Sequence, residues 1–71
     1  MNTKIKIGDI VTFTDEGTYA KWFYGRMGTV VSMNDRGTHI SVEWIIPVTY
    51  FGKLTGRSSF EISRFTKLKA A

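Results

Sequence analysis

The alternation of Ile40, Val42 and Trp44 with His39, Ser41 and Glu43 most narrows the folds open to this chain. A period of two puts the three apolar side chains on one face of a strand and the polar three on the other. Just before it, Asn34-Asp35-Arg36-Gly37 is a tight-turn sequence, with glycine where a left-handed conformation is expected. Ahead of the turn, Gly25-Arg-Met-Gly28 leads into the run from Thr29 to Met33. Glycine tolerates φ > 0 and lets backbones approach closely, so this pair suits a chain turning sharply into a sheet. Together these pieces predict an antiparallel hairpin. Within its first strand, Val30 and Met33 share a face only through a β-bulge; Val30 with Ser32 is the unbulged alternative.

The rest of the chain supplies further short strands. Val11 and Phe13 fall on one face of an N-terminal strand that follows Gly8-Asp9, and Thr12 and Thr14 fall on the other. Asp15-Glu16-Gly17-Thr18 is a turn cluster. The segment from Tyr19 to Tyr24 has neither strand alternation nor a long helical stripe, so it reads as part of an ordered loop of about ten residues. Pro47 is expected to end or edge the third strand, because proline removes a ladder donor. Val48 to Phe51 continues as a short strand, and Gly52 to Ser59 reads as a flexible basic loop. Ser58 to Glu61 forms a fourth strand. One 3-10 turn over Ile62 to Phe65 brings those two side chains together. Thr66 to Leu68 forms the fifth strand. The expected fold is all-β: an SH3-like five-stranded barrel with a single 3-10 turn before the last strand. It occupies residues 1–71 as one domain, frayed at 1–3 and 69–71. Phe13, Trp44, Phe60 and Phe65 belong to its core, with Val11, Val30 and Val42.

A chain of 71 residues has little core to bury, and without cysteine it has no disulfide or thiolate metal site to compensate. Its aromatic fraction of 14% is the compensating resource. No apolar run approaches the roughly 20 residues of a membrane span, and the N-terminus lacks a signal-peptide core. A cytoplasmic location is the expectation. The net charge of +4 is unevenly distributed. Up to Asp35, four basic residues balance four acidic ones, so the whole excess lies in the second half, mostly in Lys53, Arg57, Arg64, Lys67 and Lys69. Such asymmetry suits a side that faces a polyanion. Lys67 and Lys69 themselves read as a solvated tail.

Catalysis is not expected. His39 is the single histidine, and Ser41 and Glu43 follow it on the outward face at roughly 7 Å spacing, too far for a base to reach a nucleophile. One histidine and scattered carboxylates lack zinc-ligand spacing, and no helix follows Gly25–Gly28 to bind phosphate at its N-terminus. Neither metal nor cofactor is expected. The functional candidates are aromatic residues interleaved with basic ones: Tyr19, Lys21, Trp22, Phe23, Tyr24 and Arg26 in the first loop, and Tyr50, Phe51, Lys53 and Arg57 after the third strand. Rings stack on bases while Lys and Arg neutralise phosphates, so DNA or RNA is the preferred ligand. Tyr19, Lys21, Trp22, Tyr24, Arg26, Tyr50, Lys53 and Arg57 form the expected site. The alternative is a protein-docking module, either a subunit of a larger complex or a small effector or inhibitor that binds a host or partner enzyme, since exposed aromatics serve protein interfaces equally well. Four aromatics between Tyr19 and Tyr24 exceed what a small core holds, so Trp22 or Phe23 anchors the segment while Tyr19 and Tyr24 stay partly exposed. Arg26 is expected to pair with Asp15 or Glu16.

Two resemblances bear on these readings. Gly8-Asp9-Ile10-Val11, Gly25-Arg-Met-Gly28-Thr-Val30 and Ile40-Ser-Val42-Glu43 resemble a KOW-type segment of the SH3-like class, over about half the chain. That likeness implies the barrel and a binding role without fixing the ligand. Tyr19, Trp22 and Phe23 ahead of Gly28-Thr-Val-Val-Ser32, with Tyr50, Gly52, Phe60 and Glu61, are similar to the SH3-like docking-protein family of the photosystem I reaction centre. That likeness implies the same barrel and a docking role within a larger complex. Leu54 to Ser59 stands where members of that family carry a long asparagine-rich loop.

Overall fold

In the computed structural model, which describes residues 4–71, five antiparallel strands form one sheet of order β4-β3-β2-β1-β5. They are β1 (Ile10–Phe13), β2 (Met27–Met33), β3 (His39–Tyr50), β4 (Lys53–Glu61) and β5 (Phe65–Lys69). The fold is all-β, and one 3-10 turn, Ile62–Arg64, precedes the last strand. The expected fraying at residues 1–3 lies outside the described residues. At the other end Lys69 pairs with Ile10, and the Ala71 amide donates to Asp9.

The predicted hairpin is the centre of the sheet. Asn34 Oδ1 accepts from the amides of Thr38 and His39, both at 2.9 Å, and the Gly37 amide closes on the Asn34 carbonyl. An asparagine side chain thus satisfies the donors that a tight turn leaves over. β2 carries the bulged register: Val30 pairs with Val42, Met33 with Ile40, and the pairing shifts between Val30 and Ser32. The extra residue puts Val30 and Met33 on the same side, one buried and the other packed against the core.

The inward faces of β1, β2, β3 and β5 meet in a core of Val11, Phe13, Val30, Ile40, Val42, Trp44, Val48 and Phe65, with Phe23 from the β1–β2 connection, and β4 packs half-buried Phe60 against it. Phe13 packs edge-on against Phe60 and Phe65 at ring distances of 5.0 and 5.4 Å. Phe60 on β4 and Phe65 on β5 come within 6.1 Å, so the sheet curls until its two outer strands share side-chain contacts. The 3-10 turn spans that seam. Its first amide donates to the Thr38 carbonyl, and the Arg64 carbonyl accepts from Thr14 and Asp15.

Three expectations are corrected. The Tyr19–Tyr24 segment contains one helical turn, α1 (Ala20–Phe23), started by the Ala20 amide on Gly17 and closed by Tyr24 on Ala20. Four residues are too few to leave a periodic signature, and Phe23 holds the turn by burying its ring. Pro47 does not end β3, which runs through it. Residues 44–47 sit where the β3–β4 register slips between Glu43 and Val48, so the missing amide costs no ladder bond there. The stretch from Gly52 to Ser59 is no flexible loop. Phe51 and Gly52, at φ 50° and 76°, meet the φ requirement of a two-residue hairpin turn, and β4 starts at once with Lys53 opposite Tyr50. Phenylalanine is an unusual first residue for such a turn, which hid it.

Candidate basic-aromatic rim

Two glycines deliver the chain from α1 into β2 for different reasons. Gly25 has φ 78°, a left-handed conformation costly to other residues, while open space surrounds its missing side chain. Gly28 has ordinary backbone, but a Cβ there would lie 3.1 Å from the Glu43 carbonyl oxygen and 3.3 Å from the Trp44 ring. The first glycine makes the turn and the second admits β3.

Closure of the sheet brings α1 against the tip of the β3–β4 hairpin. Trp22 lies 4.9 Å from Tyr50 and 4.8 Å from Phe51, ring to ring, and Tyr19 lies 6.5 Å from Tyr50. The Lys21 ammonium sits over the Trp22 ring at 4.7 Å, a cation–π arrangement, and Lys53 is the cross-strand neighbour of Tyr50. Phe23, not Trp22, is the core anchor, at 2% exposure against Phe13, Trp44, Tyr50 and Phe60. Tyr19, Lys21, Trp22, Tyr50 and Lys53 are therefore brought together as expected.

The remaining expected site residues are not. Tyr24 and Arg26 lie on the flank, where Arg26 lines a shallow cavity of about 90 Å³ with Gly25, Met27, Ile45 and Ile46. Arg57 stands opposite Glu43, beyond the register slip and four residues along β4 from Lys53. That spacing is roughly 13 Å at the rise of a strand. Arg26 does not pair with Asp15 or Glu16. Asp15 is taken by Arg64 at 2.8 Å, and the Arg64 guanidinium also lies over Tyr19 at 5.5 Å, fastening the first loop to the 3-10 turn. On the outward row of β3, His39 Nδ1 is hydrogen-bonded with Thr38, Ser41 with Ser59, and Glu43 faces Arg57.

Several surface residues carried no clear sequence signal. Among the described residues, eight large hydrophobic side chains are exposed. Six of them, Tyr24, Met27, Ile45, Ile46, Phe51 and Leu54, lie on the β3–β4 hairpin or on the segment feeding β2. The run Trp44-Ile45-Ile46 was the one hint, because an apolar run that breaks alternation turns one member outward. Phe51 is the extreme case: 72% exposed, on a left-handed backbone that a bulky residue rarely adopts. Residues 17–27 and 44–56, which build this end, hold Lys21, Arg26 and Lys53 and no carboxylate, and Arg57, the next residue along β4, faces Glu43.

Away from the rim, Asp9 is buried at 2% exposure, and its partners come from both chain ends. Its carboxylate accepts from the Lys6 amide at 2.8 Å and the Ala71 amide at 2.9 Å, and it pairs with Lys67 at 3.2 Å. The Lys6 amide, then the Ala71 amide, hold the Asp9 carboxyl below the usual carboxylate range, burial opposes them, and Lys67 adds to the lowering. Lys67 is accordingly a structural partner and not a solvated tail.

Comparisons with protein-family models, curated proteins and solved structures return no match for this chain. Among the described residues no helix is long and apolar enough to cross a membrane.

Proposed function

We propose that this chain is a non-catalytic, SH3-like binding module that docks onto an acidic protein surface through α1 and the β3–β4 hairpin. The observation that carries this reading is the concentration of exposed apolar side chains at one acid-free end. Exposed aromatic and aliphatic groups of this kind form the water-excluding centre of protein interfaces, while cations around them steer and orient the partner. Phe51 fits the role of an anchor. Its backbone strain and exposure bring the free fold little, and such strain gathers where binding uses it.

The nucleic-acid reading draws on the same four cations, Lys21, Arg26, Lys53 and Arg57. It is weakened by the rings it needs. Trp22 is covered by Lys21 and flanked by Tyr50 and Phe51, and four of the six exposed apolar side chains of this end, Met27, Ile45, Ile46 and Leu54, are not aromatic and offer bases no ring to stack on. Cytoplasmic action fits either reading.

A photo-crosslinking side chain at position 51, compared with one at Asp35 on the opposite turn, tests the proposal. A defined protein adduct at 51 that survives nuclease and is absent at 35 supports docking. Adducts that vanish with nuclease, together with steeply salt-dependent binding to mixed DNA or RNA, would transfer the site to nucleic acid.

A further inference from the structure

The end of the sheet away from the hairpin tip holds a second concave surface. An open groove of about 730 Å³ lies between the N-terminal arm, the β2–β3 turn and the 3-10 turn. Its floor is apolar: Ile5, Met33, Ile62 and Phe65 turn their outer atoms into it while packing inward against the core. Its rim is cationic, with Lys4 and Lys6 on one wall and Arg36 on the other. No carboxylate side chain lines the groove; of three that adjoin its walls in sequence, Asp9 and Glu61 are paired with Lys67 and Arg64, and Asp35, beside Arg36, is exposed to solvent. Among the described residues, Lys4, Lys6 and Arg36 form no ion pair.

The arm wall is fixed in place. The Lys6 amide donates to buried Asp9, and Lys67 donates to the Lys4 carbonyl at 3.1 Å while pairing with Asp9. One buried carboxylate and one lysine thus hold two other lysines beside an apolar floor. That arrangement leaves the side-chain charges of the arm unused by the fold.

From this geometry we infer that the groove is a second binding site, and that it takes a small amphipathic anion: an apolar body on the Ile5–Met33–Ile62–Phe65 floor and a phosphate or carboxylate head between Lys4, Lys6 and Arg36. The volume falls within the range of small-molecule sites, which combine an apolar lining with a few convergent polar groups. The three cations are exposed, come from two separate segments and, among the described residues, form no ion pair, so their charge is open to an anionic head group. The site is independent of the hairpin surface and of its partner.

Octyl phosphate below its micellar concentration, titrated into the labelled full chain and followed by amide NMR, tests the inference. Saturable shifts are expected at Met33, Gly37, Ile62 and Ser63. Octanol and inorganic phosphate, each carrying half of the ligand, are expected to bind at least tenfold more weakly. The triple variant Lys4→Ala, Lys6→Ala, Arg36→Ala is expected to lose at least tenfold in affinity. It keeps the backbone groups that bond Asp9 and Lys67, so its spectrum away from the groove is expected to stay native. No saturable shift, shifts centred on the hairpin, or unchanged affinity in the triple variant would overturn the inference. So would concentration-dependent broadening of the groove residues without ligand, which would assign the groove to a second copy of the chain.

Discussion

Replacing Phe51 with asparagine separates what the hairpin tip does for the fold from what it does for a partner. Phe51 is 72% exposed, so it covers a little over a quarter of its surface, against Trp22 and Tyr50. For a ring that buries about 200 Å² when fully covered, this is on the order of 50 Å², worth about 1.3 kcal/mol at ~25 cal/mol per Å². Against that loss, a left-handed backbone costs a phenylalanine about 1–2 kcal/mol, and asparagine relieves much of it. The two effects nearly cancel. Phe51→Asn is therefore expected to change unfolding stability by less than about 1 kcal/mol in a urea titration at constant slope. Adduct formation or partner affinity measured from a neighbouring site is expected to fall at least tenfold, as for an interface anchor. A stability loss above about 2 kcal/mol would make Phe51 a structural residue. Unchanged binding would remove the hairpin tip from the interface.

Other perturbations test the framework under the two surfaces. Phe23→Ala removes a ring buried among four other aromatics and is expected to cost about 3–5 kcal/mol, enough to unfold a domain of this size by near-ultraviolet circular dichroism. Gly25→Ala is expected to cost about 1–2 kcal/mol through backbone strain alone, leaving the Trp44 environment unchanged. Gly28→Val drives methyl groups into the Glu43 carbonyl and the Trp44 ring and is expected to abolish folding; a variant as stable as the parent would refute the close-approach role. Because the Asp9 carboxyl titrates below its unfolded value near pH 3.9, its contribution is complete above that pH and is lost as pH falls through the lower folded value. Asp9→Asn is expected to lower the melting temperature at neutral pH and to flatten its decline below about pH 4.

How much of the fold was legible in the chain depended on whether the signal was local. The alternation of Ile40, Val42 and Trp44, the Asn34–Gly37 turn and the Val11–Phe13 pair each wrote their strand into a few residues. Burial agrees with each of them. Even the bulge in β2 was one of two alternatives, because a three-residue apolar spacing permits little else. Where a local rule was overridden, the reason was a partner elsewhere in the chain. Proline is tolerated inside β3 because β4 slips past it, and Lys53 begins a strand because Tyr50 stands opposite.

The candidate rim divides in the same way. Sequence alone determined that this is an all-β chain with an aromatic-rich first connection and an uneven positive charge, because composition and period are properties of neighbours along the chain. Only tertiary structure decided which residues share a surface. It joined Trp22 to Phe51 and parted Arg57 from Lys53. It fixed Lys67 on Asp9 and gathered Lys4, Lys6 and Arg36 around one groove. Those associations follow from strand register and sheet curl, which arise from pairings between distant segments and leave no periodic trace in either one.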